Sequence, residues 1–262
     1  AGEDPPAGAR PTAGGGQANA TVYVDDSFVF NLGQTIPDAD LGTTGAQPAI
    51  FGVNAFTLIN DAVAAATTSG TIIVNSGSYT TGTLSGTQTL RVTGVNVAGA
   101  VSIGALTTAA GQFVDIVGSS ILTVGDATNT TLAGVISGSG GLVKVGTGAV
   151  TLSGNNTYTG TTAINDGSLI ISHANALGAS GVGQGTTITG NGTAGSEVLL
   201  LTGGISVAEP IALVSTDGTN GRAEIRSNVG PNTLSGPITV SGSSSGLAQL
   251  GVDGTGLFLV QS

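Results

Sequence analysis

Short apolar segments recur along the chain from Thr71 onward, each bounded by Gly, Asn, Ser or Thr. They are TIIV (71–74), TLRV (89–92), AVSI (100–103), FVDIV (113–117), ILTV (121–124), LVKV (142–145), AVTL (149–152), SLIIS (168–172), VLLL (198–201), PIALV (210–214), PITV (237–240) and LFLV (257–260). Apolar runs of this length between turn residues are typical of buried β-strands. The intervening helices of a βαβ fold are missing. The pattern therefore predicts an all-β domain over residues 71–262.

One amphipathic stretch precedes these segments. In AFTLINDAVAAATT, Ile59 and Val63 fall on one face at helical spacing, Asn54 can cap the start, and Gly70 suits the position just past the end. We predict a helix over about 54–68. Because the first rung of a sheet presents unpaired backbone groups, we expect this helix to cap it and to bury Ile59 and Val63 there.

The remaining N-terminal sequence divides into two parts. Residues 1–20 are rich in Pro, Gly and Ala without periodicity, which predicts a flexible extension. Residues 21–30 (TVYVDDSFVF) alternate as a strand does. We therefore predict an N-terminal cap over residues 21–70, made of this strand, a loop and the helix.

Composition decides between two all-β architectures. The chain has 46 Gly but only 3 Tyr, 6 Phe and no Trp. A β-sandwich usually has a more aromatic core, whereas a β-solenoid fills a narrow interior with aliphatic side chains and turns its corners with Gly, Asn, Thr and Ser. The composition favours the solenoid.

Net charge and hydropathy disfavour several classes of partner. Five Lys and Arg against 15 Asp and Glu give a net charge of −10, which disfavours nucleic acid and anionic membranes. No apolar run approaches the length that crosses a bilayer, so we expect no membrane insertion. The opening AGEDPP lacks Met, and we interpret it as the start of a secreted chain whose signal peptide has been removed.

Residues 138–178 carry a specific motif, GSGGLVKVGTGAVTLSGNNTYTGTTAINDGSLIISHANALG. It resembles the autotransporter-associated β-strand repeat, also called the passenger-associated transport repeat, of large bacterial surface proteins. The resemblance rests on the Gly-Gly-Leu start, Leu152-Ser153-Gly154, the Asn-Asn-Thr-Tyr-Thr-Gly run at 155–160 and Ala176-Leu177-Gly178. One departure is that Gly160 is followed by Thr161-Thr162, where the family commonly has a second Gly.

The front of the chain, VYVDD followed by AFTLINDAVAAATTSGTIIVNSGSYT, resembles the N-terminal cap of pectin-lyase-like β-helices. Together the resemblances imply a right-handed parallel β-helix exported to the bacterial surface, with no catalytic activity in the repeat itself.

Within the repeat, we expect the aliphatic residues of LVKVGTGAVTL to point inward: Leu142, Val143, Val145, Val150 and Leu152. Asn155-Asn156 should form a corner whose amides bond the backbone of an adjacent coil. Tyr158 is a lone large ring, and we expect it to be partly buried against a coil flank, for packing rather than binding.

Few residues offer chemistry. Only Arg91, Lys144, Arg222 and Arg226 could hold an acidic sugar within the region predicted to fold. Glu224 lies between the last two arginines in RAEIR, and a strand would place the three charges on one face. We interpret them as a self-neutralising, solvent-facing ladder.

Paired carboxylates can hydrolyse glycosides when they flank a cleft. The candidates are scattered along the chain: Asp115, Asp126, Asp166, Glu197, Glu209, Asp217 and Asp253. Three precede Gly, which is a turn signature. His173 is the single histidine, and no Ser is marked out as its nucleophile. We therefore predict no catalytic residues.

For calcium, the best candidates are Asp25-Asp26 and Asp38-Ala39-Asp40, but neither has the spacing of a known calcium loop, so we interpret them as turn residues. Gly181-x-Gly183-x-Gly185 does not open a helix after a strand. Thr187-Ile188-Thr189 is isolated, unlike an ice-binding ladder. No metal or other cofactor is predicted.

The sequence thus predicts a non-enzymatic structural or adhesive solenoid at the cell surface, with a glycan or matrix as its partner. The alternative is a carbohydrate-active β-helix enzyme, for which charged residues should converge in one groove rather than leave a smooth neutral flank. We also expect self-association into head-to-tail fibres, with the N-terminal extension or the strand at 21–30 docking on the last coil of a neighbouring copy. The alternative is that residue 262 is an internal position of a longer solenoid.

Overall fold

The computed structural model describes residues 19–25, 34–36, 49–50, 55–75, 77–93, 100–181, 184–190, 196–216, 222–242, 247–253 and 257–260. The N-terminal part contains β1 (Asn19–Val24), β2 (Thr35–Ile36), β3 (Ala49–Ile50), β4 (Ala55–Phe56), α1 (Ile59–Ala65), β5 (Ala66–Val74), β6 (Gly77–Thr83), β7 (Thr89–Thr93) and β8 (Ala100–Thr107). The middle contains β9 (Phe113–Val117), β10 (Ile121–Val124), β11 (Thr130–Leu132), β12 (Val135–Gly138), β13 (Gly141–Lys144), β14 (Ala149–Leu152), β15 (Thr162–Ile164), β16 (Ser168–Ile171) and β17 (Thr186–Gly190). The C-terminal part contains β18 (Ser196–Leu201), β19 (Ser206–Val207), β20 (Ile211–Ser215), β21 (Arg222–Ser227), β22 (Pro231–Leu234), β23 (Ile238–Gly242), β24 (Leu247–Val252) and β25 (Leu257–Val260).

The strands wind into a parallel β-solenoid. The longest sheet has eight strands in the order β23-β20-β17-β15-β13-β10-β8-β6, and two six-stranded sheets and one three-stranded sheet form the other sides. Leu122 is aligned with Leu142, and Leu142 with Thr162, so a rung here takes 20 residues. Each apolar segment from the sequence contributes to a strand. The predicted all-β parallel solenoid with a short helix is confirmed, and its right-handed sense stays a prediction.

The helix is shorter than the predicted span of 54–68. Its N-cap is Leu58, which makes no side-chain cap, and Ala66 already has extended geometry because it starts β5 and pairs with Asn19 of β1. Ile59 and Val63 are buried, as predicted. The packing of α1 on β1, β4, β5 and β6 places it over the first rungs.

The solenoid interior is mainly a column of aliphatic side chains, and Lys144 lies among them. In β13, Leu142 and Lys144 are buried, while Val143, and Val145 directly after the strand, are half-buried on the outer side. The expectation that both valines point inward was wrong, because strand alternation from Leu142 places Lys144 inside.

The predicted corner at Asn155-Asn156 is confirmed. The backbone N–H of Ile136 donates to Asn156 Oδ1 at 2.8 Å, and Asn156 Nδ2 donates to the carbonyl of Ala176 at 2.6 Å, so one amide links three successive coils. The backbone at Gly154 lies so close to the coil before it that a Cβ there would sit 2.1 Å from the carbonyl oxygen of Gly134. A side chain cannot fit at this spacing.

Candidate functional site

The outer face of the eight-stranded sheet carries no charge along one complete column. Each of the eight strands contributes one outward-facing residue that is aligned with those of its neighbours in the sheet. These residues are Ser78, Ser102, Thr123, Val143, Ala163, Thr187, Ala212 and Thr239. Thr187 has alanine neighbours on both sides, so no threonine ladder forms there. This face is a smooth surface of small hydroxyl and aliphatic groups, suited to broad contact and not to acid–base chemistry.

The charged cluster in RAEIR lies on β21. Arg226 Nε donates to Glu224 Oε1 at 2.7 Å, and Arg226 Nη1 donates to Asp253 Oδ2 of the next rung at 3.3 Å. The predicted ladder is thus present only in part, because Arg222 Nη1 donates to Gln249 Oε1 at 3.3 Å and not to Glu224. Glu224 is fully buried, so the expectation that it faces solvent was wrong. Its carboxylate lies beside Gly251 of the next rung, which has no side chain to occupy this space.

Lys144 is not available to a substrate. Its ammonium group donates to the carbonyls of Val145, Gly146 and Asp166 at 2.8, 2.7 and 3.1 Å. Burial lowers its pKa to about 8, while the carboxylates of Asp166 and Asp126 act in the opposite direction. The side chain ties together two adjacent corners of the repeat. Alternation along the strand is the sequence signal that indicates an inward position for Lys144, although its charge argues against burial.

Two of the predicted carboxylate candidates have ordinary structural partners. Asp115 lies 3.9 Å from Arg91 on the adjacent rung. The hydroxyl and the backbone N–H of Thr128 donate to Asp126, and these bonds lower the pKa of that carboxyl. Asp217 lies outside the described residues.

Glu209 belongs to a buried polar group that the sequence did not reveal. Thr186 Oγ1 donates to Glu209 Oε1 at 2.7 Å, and burial raises the pKa of this carboxyl to about 7. One rung away, Thr162 is aligned with Thr186, and its hydroxyl lies 2.5 Å from that of Tyr158. Burial raises the pKa of Tyr158 far above its usual range. Tyr158 is fully buried rather than partly, in keeping with packing.

The remaining predicted positions do not converge. Glu197 is buried at the start of β18, and His173 lies in a turn where its Nδ1 accepts the backbone N–H of Asn175. Asp25 accepts a hydrogen bond from Asn75 Nδ2 at 3.1 Å, while residues 26, 38 and 40 lie outside the described ranges. Among the described residues, no three His, Cys, Asp or Glu side chains come together as a metal site would require. Gly183 is also outside these ranges.

A cleft of about 140 Å³ lies between α1 and β6, lined by residues 58–61 and 79–81. Asn60 spans it, because its Nδ2 donates to Thr81 Oγ1 and its Oδ1 accepts the backbone N–H of Thr83, both at 3.1 Å. These bonds fix the helix to the first strand of the long sheet. The cleft lacks the paired carboxylates of a glycosidase.

The helical content of the described residues is the seven-residue α1, which is too short to cross a membrane. The ion pairs Arg91–Asp115 and Arg226–Glu224 lie on strands of other sheets than the one that carries the uncharged column.

The fold defines the class of protein, a parallel β-solenoid. Within it, the passenger-associated-transport-repeat family matches residues 142–171, so the chain carries an autotransporter-associated β-strand repeat. The chain is also similar to the adhesin BmaC autotransporter of Brucella suis biovar 1 (strain 1330), with 41% identity over 81 residues. The match covers 30% of this chain and 2% of that protein. No solved structure matches significantly. The resemblance of the N-terminal part to a pectin-lyase-like cap stays a prediction.

Proposed function

We propose that this chain is a non-enzymatic segment of an autotransporter passenger domain at the bacterial surface, with a structural or adhesive role. The uncharged column along eight rungs of the long sheet carries this proposal. An extended neutral face can contact a glycan or matrix over many rungs, whereas catalysis would need charged groups convergent on one substrate. The repeat and the likeness to an autotransporter adhesin support a surface location.

The competing proposal is a carbohydrate-active enzyme, and one experiment separates the two. The purified chain is incubated with immobilised acidic and neutral polysaccharides, and both retention and the release of reducing ends or unsaturated uronates are measured. We expect retention without turnover, and a lower retention for Ala163→Asp, which places a charge in the middle of the neutral column. Asp115→Asn, on another sheet, is the control. Robust turnover by the parent chain would overturn the proposal.

Self-association was also expected, through the strand at 21–30. The described part of that strand, β1, pairs with β5 of its own chain and, at Tyr23 and Val24, with β4. Residues 1–18 and 26–30 lie outside the described ranges. Head-to-tail self-association through the N-terminal extension or this strand stays a prediction.

A further inference from the structure

The chain contains four Asn-x-Thr triplets in which the middle residue is not Pro. They begin at Asn19, Asn129, Asn155 and Asn191. This triplet is the acceptor motif for attachment of a sugar to an asparagine side chain, and such acceptors lie on the surface of secreted proteins. Because Thr is abundant in this chain, the motif alone does not identify an acceptor. The environment of each asparagine in the folded chain has to decide.

Two of the four triplets lie on the surface at corners of the solenoid. Asn129 and Asn155 are exposed, and so are the threonines two positions after them, Thr131 and Thr157. Asn129 directly precedes β11, and Asn155 lies in the corner that follows β14. At both corners, the acceptor asparagine and the hydroxyl group that completes the motif are therefore exposed together.

In both side chains the amide oxygen is engaged and the amide nitrogen is not. Asn129 Oδ1 accepts the backbone N–H of Ala149 at 2.8 Å, and Asn155 Oδ1 accepts Asn175 Nδ2 at 2.9 Å. Neither Nδ2 atom donates a hydrogen bond within the part of the chain that the structure describes. Other asparagines use this atom as a donor that holds the fold together, namely Asn60, Asn75, Asn156, Asn175 and Asn232. A sugar on Nδ2 of Asn129 or Asn155 would thus leave the side-chain hydrogen bonds of these two residues intact.

Asn19 carries the same motif in a different environment. It is half-buried in β1, where it is aligned with Ala66, and its Nδ2 donates to the carbonyl of Ala65 at 3.5 Å. A sugar on this nitrogen would break that contact and disturb the pairing of β1 with β5. Asn191 lies outside the described residues. The structure therefore separates two accessible triplets from one that is engaged in the fold.

We propose that Asn129 and Asn155 are acceptor sites for N-linked sugars and that Asn19 is not. The donor is a sugar activated at its anomeric carbon as a diphosphate ester. The Nδ2 atom forms a bond to that carbon, the bond from the carbon to the diphosphate breaks and its electron pair leaves with the diphosphate, and the amide gives one proton to a base of the transferase.

Both sites lie beside strands of the sheet that contains β11 and β14, and not in the long sheet. The proposal therefore involves none of the residues of the uncharged column and does not rest on the proposed function. An attached sugar is bulky and hydrophilic, so it would cover these two corners and increase the solubility of the chain.

The test is peptide mapping of the full chain, recovered from the cells that naturally produce it, by mass spectrometry with fragmentation that keeps a sugar on its residue. We expect sugar on Asn129 and Asn155 and none on Asn19. Asn175 is an internal control, because it is exposed beside Asn155 on the adjacent rung but is followed two positions later by Leu177 instead of Thr.

Two substitutions of Thr157 test whether the motif directs the modification. Thr157→Val keeps Asn155 but removes the hydroxyl group, and should abolish the sugar on Asn155 while the sugar on Asn129 remains. Thr157→Ser is the matched control and should retain both sugars. Circular dichroism establishes that each variant is folded, and if Thr157→Val is not, Thr131→Val and Thr131→Ser give the same comparison at Asn129.

A native chain in which both asparagines are unmodified would overturn the proposal, and a single unmodified asparagine would overturn it for that site. Sugar on Asn19 or Asn175 would also overturn it, because accessibility and the motif would then not select the acceptor. So would sugar on the threonine hydroxyl groups in place of the asparagines, or a sugar on Asn155 that persists in folded Thr157→Val.

Discussion

At the scale of single residues, the buried polar side chains distinguish this solenoid from a purely aliphatic column. Asn156 links three coils and Lys144 binds three carbonyls, so each satisfies backbone groups that the corners leave without strand partners. Buried polar groups are costly unless their hydrogen bonds are made. We therefore expect these two side chains to contribute strongly to the register of the rungs.

Replacing Lys144 tests this directly. Lys144→Met keeps most of the buried chain length but leaves three carbonyls without their donor, and should lower the free energy of unfolding by roughly 2–4 kcal/mol. Arg91→Met is the control, because the exposed Arg91–Asp115 pair should contribute under about 1 kcal/mol. Urea unfolding measures both. Equal effects would show that the Lys144 contacts do not stabilise the fold.

Because Tyr158 is fully buried, we expect its truncation to destabilise the fold more than the partial burial predicted from the sequence would imply. Tyr158→Ala should lower the free energy of unfolding by roughly 3–5 kcal/mol, because it leaves a cavity in the interior. Tyr158→Phe removes only the hydroxyl contact with Thr162 and should cost about 1–2 kcal/mol. Chemical denaturation of the two variants gives this ranking, and a Tyr158→Ala variant as stable as the parent would contradict it.

Glu209 predicts a specific dependence of stability on pH. Its carboxyl has a pKa of about 7 in the folded chain against an ordinary 4.5, so the folded state binds this proton more tightly than the unfolded state does. Its contribution is fully present below about pH 4.5 and is lost as the pH rises to about 7, by an amount of order 3 kcal/mol. The difference in unfolding free energy between the parent and Glu209→Gln should change over this range. A constant difference from pH 4.5 to 8 would refute the assignment.

At the scale of elements, α1 closes one end of the solenoid with few residues. Ile59→Asp places a carboxylate among the first rungs and should lower stability by about 3 kcal/mol or more and promote aggregation through the exposed edge. Leu58→Asp, one position away but half exposed, should change either property little. Thermal unfolding and light scattering measure the two effects. If Ile59→Asp remains as stable and monodisperse as Leu58→Asp, the helix is not a cap.

The strands that the sequence predicted are those whose inward positions are aliphatic, such as β10 and β16. The sequence pattern did not predict strands β6 (GSYTTGT), β15 (TAI) and β22 (PNTL). Their inward positions include the non-aliphatic residues Gly82, Thr162 and Asn232. Stacking on neighbouring rungs holds them in place, and this support is not visible in one segment alone. The helix was overextended for a related reason, since pairing of Ala66 with β1 overrides local helical preference.

Only a small part of the candidate site could be predicted from the sequence. The pairing of Arg226 with Glu224 follows from strand alternation in RAEIR. The burial of Lys144 follows from alternation in β13 as well, whereas that of Glu224 depends on which residues the adjacent rungs place beside it. The group of Tyr158, Thr162, Thr186 and Glu209 spans more than 50 positions of sequence and forms only when the coils stack.

At the scale of the whole molecule, the described strands of the solenoid are linked mainly to strands of the adjacent rungs. Pairing joins each strand to its immediate neighbours in a sheet, and the long sheet places β6 and β23 at opposite ends. Stability in such a fold is approximately a sum of rung energies and nearest-neighbour contacts. Local changes should therefore remain local.

Hydrogen exchange in two variants, one near each end, tests this independence. Ile59→Asp should speed amide exchange in β5 and β6 while leaving β19 and β22 unchanged. Asn232→Ala should do the reverse, because Asn232 Oδ1 accepts the N–H groups of Gly204 and Ile205 and its Nδ2 donates to the carbonyl of Leu201. The double variant should show both footprints, and its loss of stability should equal the combined losses within about 0.5 kcal/mol. Faster exchange throughout the chain in either single variant would show that the solenoid unfolds as one cooperative unit instead.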